Sequence, residues 1–318
     1  MRAVWLTEFG APEVLVAGDA PDPVPGPGQV VIDVAFANIT FVETQFRASG
    51  FGPFDGELPM IPGNGVGGLV AVAGPGVDER LIGMRSVSST GGSGGYAERA
   101  VVDAAGVVEV PDGVELDTAV ALMADGRTAT SLVRAARVRR GDRVLVEAAA
   151  GGVGTLLVQL AAGAGATVVA VAGGDRKVAL ARDLGADVAV DYSEPGWADR
   201  VRQAVGAVDV VFDGVGGAIA RSAFELLDRG GRMVSFGMAS GGWADIADDD
   251  AAARDVTLVR TARSSPAELR ELTESALADA AAGRLRPVVG QRFPLERAAD
   301  AHAAIESRAG VGKTLLVT

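Results

Sequence analysis

Residues 144–174 read VLVEAAAGGVGTLLVQLAAGAGATVVAVAGG, with no charged side chain after Glu147. A run this apolar is buried, either in a bilayer or in a protein interior. A spanning helix needs about 20 mostly apolar residues, and the run is long enough. Its glycines argue the other way. Three of them sit in GGVG, and an interior glycine weakens a helix by about 1 kcal/mol relative to alanine. The periodicity also changes twice. RVLVEA has the pattern of a short buried strand, GGVGTLLVQLAAGAG that of a helix opened by glycine, and ATVVAVA that of a second buried strand. The run predicts a βαβ unit in a parallel sheet rather than a membrane span.

The rest of the chain divides around that unit. At 318 residues two domains are expected, and a hydrophobic content of 48% is enough for sizeable cores. Ten of the fourteen prolines precede Asp112. In that region GQVVIDVAFANI, GNGVGGLVAVAG and AERAVVDAAGVVEV alternate with turns such as PDPVPGPG and AGPGVDE, which predicts an all-β module. DTAVALMADGRTATSLVRAARV reads as a helix. From Arg143 onward six strands follow: RVLVEA, TVVAVA, VAVDY, VDVVFDGV, RMVSFG and DVTLVR. Helical segments separate the first five, as parallel pairing requires. The final block, RPVVGQRFPLERAADAHAAIESRAGVGKTLLVT, predicts strand, helix, strand.

Composition removes several chemistries. A net charge of −12 disfavours nucleic acid, whose binding depends on neutralising phosphates. Cysteine is absent and His302, in ERAADAHAAIES, is the single histidine, so no zinc site of thiolate and imidazole ligands is expected and no metal is assigned. His302 is expected to be a structural or surface residue. The opening MRAVWLTEFG lacks the apolar core of a signal peptide, so a cytoplasmic protein is expected. A Tyr-x-x-x-Lys catalytic pair is absent, because Ala100 follows Tyr96 and Gly196 follows Tyr192 at that spacing. GVGKT imitates a phosphate loop, but Ser307 stands where its first glycine belongs and only four residues follow Thr314, too few for the required helix.

AAGGVG aligns with G-x-G-x-x-G, with Ala149, Gly151 and Gly154 at the three glycine positions. The second glycine lets the backbone approach a pyrophosphate, and the third lets the helix pack close to the strand. The first N–H groups of the helix, around Gly152 and Val153, then face the anion. The competing reading is a tight turn with no ligand. The end of the next strand selects the cofactor, because an NAD site places Asp or Glu there to bond the ribose 2′-hydroxyl. Here Gly173 holds that place, followed by Gly174, Asp175, Arg176 and Lys177. Glycine does not repel a 2′-phosphate, and Arg176 and Lys177 supply positive charge, which predicts NADPH. Asp175 is expected to cap the next helix. Alternatively, Arg176 and Lys177 are ordinary solvated residues at a helix start.

Together these segments resemble the zinc-independent medium-chain dehydrogenase/reductases, in their NADPH-dependent quinone oxidoreductase branch. AAAGGVGTLLVQLA, LGADVAVDY, VDVVFDGVGG, GGRMVSFGMASG and ESRAGVGKTLLV look like that family's successive signatures, and LPMIPGNGVGGLV and GGSGGYAERAVV like those of its N-terminal barrel. The resemblance implies an α/β chain. It joins a GroES-like β-barrel catalytic domain, residues 1–117 and 261–318, to a doubly wound parallel-sheet Rossmann cofactor domain, residues 118–260. It also implies that Gly173, Lys177 and Tyr192 meet the 2′-phosphate side of the cofactor. Thr128, in DGRTAT, matches a threonine near the nicotinamide. Arg308, in ESR, matches an arginine that reaches the cofactor, and Phe236 and Gly237 belong to the cofactor signature GGRMVSFGMASG. Three departures surround the implied substrate cleft. TFVETQFRASG puts Thr40 at a family asparagine, Glu43 at a family aspartate and Gln45 at a tyrosine found in some members. PMIPGNGVGG puts Gly65 where an acid is expected.

The expected reaction is hydride transfer from NADPH to a small conjugated acceptor, a quinone or an α,β-unsaturated carbonyl. No general acid stands out, and a conjugated product anion needs none. Thr40, Gln45 and Thr128 are the candidate neutral donors to that anion, or else ordinary polar residues. One alternative is an enoyl reductase tailoring a biosynthetic intermediate. Another, of a different class, is an NADPH-binding sensor or structural protein with little turnover. DVTLVR, as the last strand of the cofactor sheet, is expected to pair with its copy in a homodimer.

Overall fold

A computed structural model describes residues 1–54, 56–260 and 264–318. The chain divides into two compact units, Met1–Arg127 with Pro266–Thr318, and Thr128–Ser265. The second boundary expected from sequence, at residue 261, lies outside the described residues. The first, between 117 and 118, falls in the same helix as the division at Arg127.

The first unit opens with an antiparallel pair, β1 (Arg2–Leu6) and β2 (Leu15–Asp19). It continues with β3 (Gln29–Ile39), α1 (Phe41–Ser49), β4 (Gly65–Ala73), β5 (Arg85–Ser89), β6 (Arg99–Asp103) and β7 (Val108–Glu109). β3 pairs antiparallel with both β4 and β6. Its register with β4 shifts twice, at Val31/Ile32 and Val34/Phe36, which bends the strand. The bend brings backbones close: a Cβ on Gly68 would lie 1.9 Å from the Asp33 carbonyl oxygen, so β4 carries glycine there. Helix α2 (Leu116–Ala136) follows and contains the division between the units.

The second unit alternates strand and helix: β8 (Arg143–Val146), α3 (Gly152–Gly163), β9 (Thr167–Ala172), α4 (Asp175–Asp183), β10 (Val188–Asp191), α5 (Trp197–Val205), β11 (Val208–Asp213), α6 (Gly217–Phe224), β12 (Leu227–Ser235), α7 (Asp248–Ala253) and β13 (Thr257–Leu258). All six strands are parallel, in the order β10-β9-β8-β11-β12-β13. This is the doubly wound order, in which the strand order reverses between β8 and β11. β9 is apolar along nearly its whole length because both faces are covered, and five of its six residues are buried. DVTLVR contributes less than expected. Only Thr257 and Leu258 form a strand, and they pair with Arg232 and Met233 of the nine-residue β12.

The chain then returns to the first unit with α8 (Pro266–Ala281), β14 (Val289–Pro294), α9 (Ala298–Glu306) and β15 (Lys313–Val317). β15 pairs antiparallel with β3 and completes a sheet of seven strands. Each unit has its own apolar core. One gathers β-strand residues such as Ile32, Val66 and Leu316, and the other Leu145, Val169, Val211 and Phe224.

Candidate functional site

The glycine loop lies between β8 and α3. Gly151 is the N-cap of α3 and offers no side chain to the helix's first N–H groups, which begin at Gly152, Val153 and Gly154. Gly154 is fixed by close approach, since a Cβ there would lie 2.2 Å from the Ala148 carbonyl oxygen. That same oxygen accepts a 2.8 Å hydrogen bond from Gly151 N–H, which closes the turn. Its left-handed residue is Ala148, at φ 46°, rather than Ala149, the residue aligned with the first glycine. The departure at Ala149 therefore leaves the turn intact.

Gly173 follows the end of β9, and the Tyr192 ring lies against it, 3.4 Å from where a Cβ would stand. Tyr192 is held there by its N–H, which donates to Ala172 O at 3.1 Å. The next helix is capped by Gly174, at φ 89°, and not by Asp175, which is already its first residue. Gly174 N–H donates to Asp191 at 2.9 Å. Partial burial pushes the Asp191 carboxyl up, but hydrogen bonds from Ser193 and Gly174 outweigh this and hold it below the usual range. Asp191 thus stays an anion that anchors the turn. Arg176 and Lys177 occupy the first turn of α4, with Arg176 exposed and Lys177 half-buried. Gly173, Tyr192 and the cationic first turn of α4 are therefore neighbours.

Phe236 and Gly237 are brought to the end of β11. Both N–H groups donate to Asp213 O, at 2.8 and 3.3 Å, and a Cβ on Gly237 would lie 2.7 Å from Gly214 O. The Asp213 side chain accepts from the N–H groups of Val215 and Gly216, at 3.1 and 2.7 Å. Glu147, the residue after β8, accepts from the same Val215 N–H at 3.2 Å. Burial, and then the neighbouring Asp213, push the Glu147 carboxyl well above its ordinary range. Neither acid belongs to a motif legible in the sequence. A signal is nevertheless there: each directly follows three apolar residues of a central strand, Val144–Val146 and Val210–Phe212.

In the first unit, Thr40 is the N-cap of α1. Its N–H and its hydroxyl both donate to Glu43 Oε2, at 2.6 and 2.7 Å, and Asn64 N–H donates to Glu43 Oε1 at 2.9 Å. The Thr40 O–H is therefore engaged inside a capping box. Burial raises the Glu43 carboxyl against these hydrogen bonds and the charge of Lys313. Gln45 is half-buried on α1. Asn38, on β3, is fully buried with neither amide atom partnered. Gly65 has its explanation in packing: a Cβ there would lie 1.8 Å from Met123 Cε, so the thioether fills the place of the expected acid.

His302 is buried rather than at the surface, 2.9 Å from the Tyr96 hydroxyl. Burial, aided by the charge of Arg47, pulls its pKa down to about 3, so the ring is neutral. The GVGKT lysine begins β15, where it is buried and bonded to Asp125 at 2.9 Å. Arg308, exposed at φ 56°, follows α9 in the first unit. Thr128 lies on α2 and is half-buried. No helix among the described residues is long and apolar enough to cross a membrane.

Two family profiles match the chain. One, described as alcohol dehydrogenase GroES-like domain, covers residues 26–112, and the other, described as zinc-binding dehydrogenase, covers residues 152–278. A quinone oxidoreductase of Mus musculus is 32% identical over 326 residues, covering 100% of this chain and 98% of the relative. A 2-haloacrylate reductase of Burkholderia sp. is 31% identical over 330 residues, covering 100% of this chain and 99% of the relative. Among solved structures, a mycobacterial protein complexed with NADPH superposes with a TM-score of 0.90 at 34% identity, covering 100% of both chains. The zinc in the second profile's description has no donor set here. The chain lacks cysteine, and its one imidazole is buried against Tyr96.

Proposed function

The chain belongs to the zinc-independent quinone oxidoreductase branch of the medium-chain dehydrogenase/reductases, and from that premise we propose that it transfers hydride from NADPH to a quinone or an α,β-unsaturated carbonyl. The observation that carries this reading is the end of β9. Gly173 stands where a ribose-binding acid would, the Tyr192 ring packs against it, and Arg176 and Lys177 open the next helix. A 2′-phosphate meets cations there and no carboxylate at the end of β9, the nearby Asp191 carboxylate being engaged by Gly174 N–H and Ser193. The glycine loop fits the diphosphate, because Gly151 leaves the first N–H groups of α3 without a side-chain cap. Bound NADPH supplies the hydride; the protein positions it and keeps water away.

The roles assigned to individual residues rest on that placement. Gly151, Gly152, Val153 and Gly154 present the uncapped start of α3 to the diphosphate. Phe236 and Gly237 complete the cofactor site within the second unit, and for Arg308 the cofactor role stays the one that the resemblance implies. Gln45 and Thr128 donate hydrogen bonds to the developing oxyanion, whereas Thr40 holds Glu43 through the capping box. Neutral donors suffice for an enolate or hydroquinone anion. They do not suffice for an isolated alkoxide, which needs a metal or a strong acid. The relative that acts on 2-haloacrylate supports an acceptor with a conjugated double bond, and so keeps an enoyl reductase role open as the second reading.

The test follows NADPH absorbance with a benzoquinone, a 2-enone and the matching saturated ketone. Turnover of the first two with the ketone essentially inert is the expected result; comparable turnover of the ketone refutes the mechanism. Tight binding with no turnover across the panel would support a sensor.

The proposed location is the cytoplasm, where the nucleotide pool lies, and the proposed assembly is a homodimer. Support for the homodimer comes from β13, the last strand of the sheet, whose outer edge pairs with no other strand among the described residues and so is open to its copy in a second chain. Light scattering at micromolar concentration should give twice the chain mass, and a monomer contradicts it.

A further inference from the structure

The second unit buries a pair of acids that form no ion pair among the described residues. Glu147 and Asp213 are both 0% exposed. They lie at the C-terminal ends of β8 and β11, which pair with each other where the strand order reverses. Their carboxyl groups meet at one donor, the Val215 N–H, at 3.2 Å from Glu147 Oε2 and 3.1 Å from Asp213 Oδ1, yet Glu147 Oε1 and Asp213 Oδ2 have no partner among the described residues. Two carboxylates cannot bond to each other, since both only accept. Two unprotonated acids at this spacing would also repel in a medium of low dielectric. Among the described residues, the charged group acting on Glu147 is Asp213, and its only other polar partner is Val215 N–H.

We propose that Glu147 keeps a proton and donates it to Asp213, and that this hydrogen bond positions the dinucleotide cradle. The glycine loop begins at the residue after Glu147, with the left-handed Ala148. Asp213 holds the opposite side. Its side chain takes the Val215 and Gly216 N–H groups, and its carbonyl oxygen takes those of Phe236 and Gly237. The proton therefore bridges the glycine loop to the two segments that follow β11 and β12. Removing it places two negative charges side by side and pushes those segments apart. Glu147 and Asp213 are positioning residues: they act through the backbone they hold. Two neutral routes give the same bridge without a titrating proton. A glutamine at 147 or an asparagine at 213 donates an amide N–H to the remaining acid.

This inference rests on the NADPH reading above, so its test has one arm without cofactor. NADPH dissociation constants are measured by nucleotide fluorescence from pH 7 to 9.5 for the wild type, Glu147→Gln and Asp213→Asn. Each wild-type value is divided by the variant's at the same pH, which cancels titration of the nucleotide itself. One linked proton gives up to about tenfold per pH unit above the pair's pKa, so the ratio should grow at least about fivefold over this range. In the second arm the apoprotein is unfolded by heat over the same range. The folded pair binds a proton that the unfolded chain releases near the ordinary glutamate value. Wild-type stability is therefore lost as pH rises, and the midpoint should fall relative to both variants. Parallel curves in both arms overturn the proposal. A stability gap without a binding gap overturns the positioning role, because the proton would then serve the fold alone. If no protein binds NADPH at any pH, the proposed function falls and the cofactor role falls with it. The apoprotein gap would still decide whether Glu147 keeps its proton.

Discussion

At the scale of single residues, cofactor preference rests on the short segment after β9. Gly173 removes the acid that would repel a 2′-phosphate, and Lys177 stands on the first turn of α4, where the helix dipole adds to its charge in attracting an anion. Charge-assisted hydrogen bonds contribute about 1.5–3 kcal/mol each. Lys177→Ala should therefore weaken NADPH roughly tenfold or more, while NADH, which lacks the phosphate, changes little. Fluorescence titration with both nucleotides distinguishes this from a general loss: equal weakening would remove Lys177 from the phosphate. Ala148 makes a related point. The chain keeps a left-handed turn at a residue with a Cβ, at φ 46°, and places its obligatory glycine six residues on, at Gly154, where helix meets loop. The glycine motif was legible because close approach forbids any other residue there. The exact turn residue was not, because alanine can be forced left-handed at a modest cost of about 1–2 kcal/mol.

Among elements, the strands and helices of the second unit were legible because both faces of a parallel sheet are covered, and unbroken apolar runs such as TVVAVA have no other home. β13 was overestimated for the converse reason: an edge strand needs few paired residues, and only Thr257 and Leu258 pair. Pairings between distant residues were hidden altogether. Glu147 and Asp213 are 66 positions apart in sequence, and Asp125 and Lys313 188 apart. The second pair ties α2 to β15 within the first unit, with both side chains almost wholly buried. Its Coulomb attraction mostly offsets desolvation, so the pair as a whole adds little stability, whereas removing one partner strands the other. Lys313→Met should destabilise by about 3–5 kcal/mol, read from urea unfolding. Lys313→Met combined with Asp125→Leu should recover most of that loss. A double variant as unstable as the sum of the singles would show that the charges are solvated after all.

For the whole molecule, buried titratable groups of opposite sense set the pH range of stability. His302 is held neutral, with its pKa pulled down to about 3 by burial and by Arg47. The unfolded chain protonates this histidine near 6.5, so its contribution is present above that pH and is lost as pH falls toward 3. Glu147 and Glu43 are raised instead, so theirs is greatest in acid and declines as pH rises. Between the ordinary glutamate value and pH 6.5 the two trends oppose each other, so wild-type stability should change less steeply with pH there than above 6.5. Above 6.5 only the acids change, and stability should decline. His302→Gln isolates the histidine, because an amide can still bond to the Tyr96 hydroxyl but does not titrate. The stability difference between wild type and variant should grow by about 2 kcal/mol from pH 5 to 6.5, at 1.36 kcal/mol per unit, and stay constant above that. Chemical unfolding at half-unit intervals measures it. A constant difference across the whole range would mean that His302 is protonated in the fold, and a difference that grows only above pH 6.5 would assign the titration to another group.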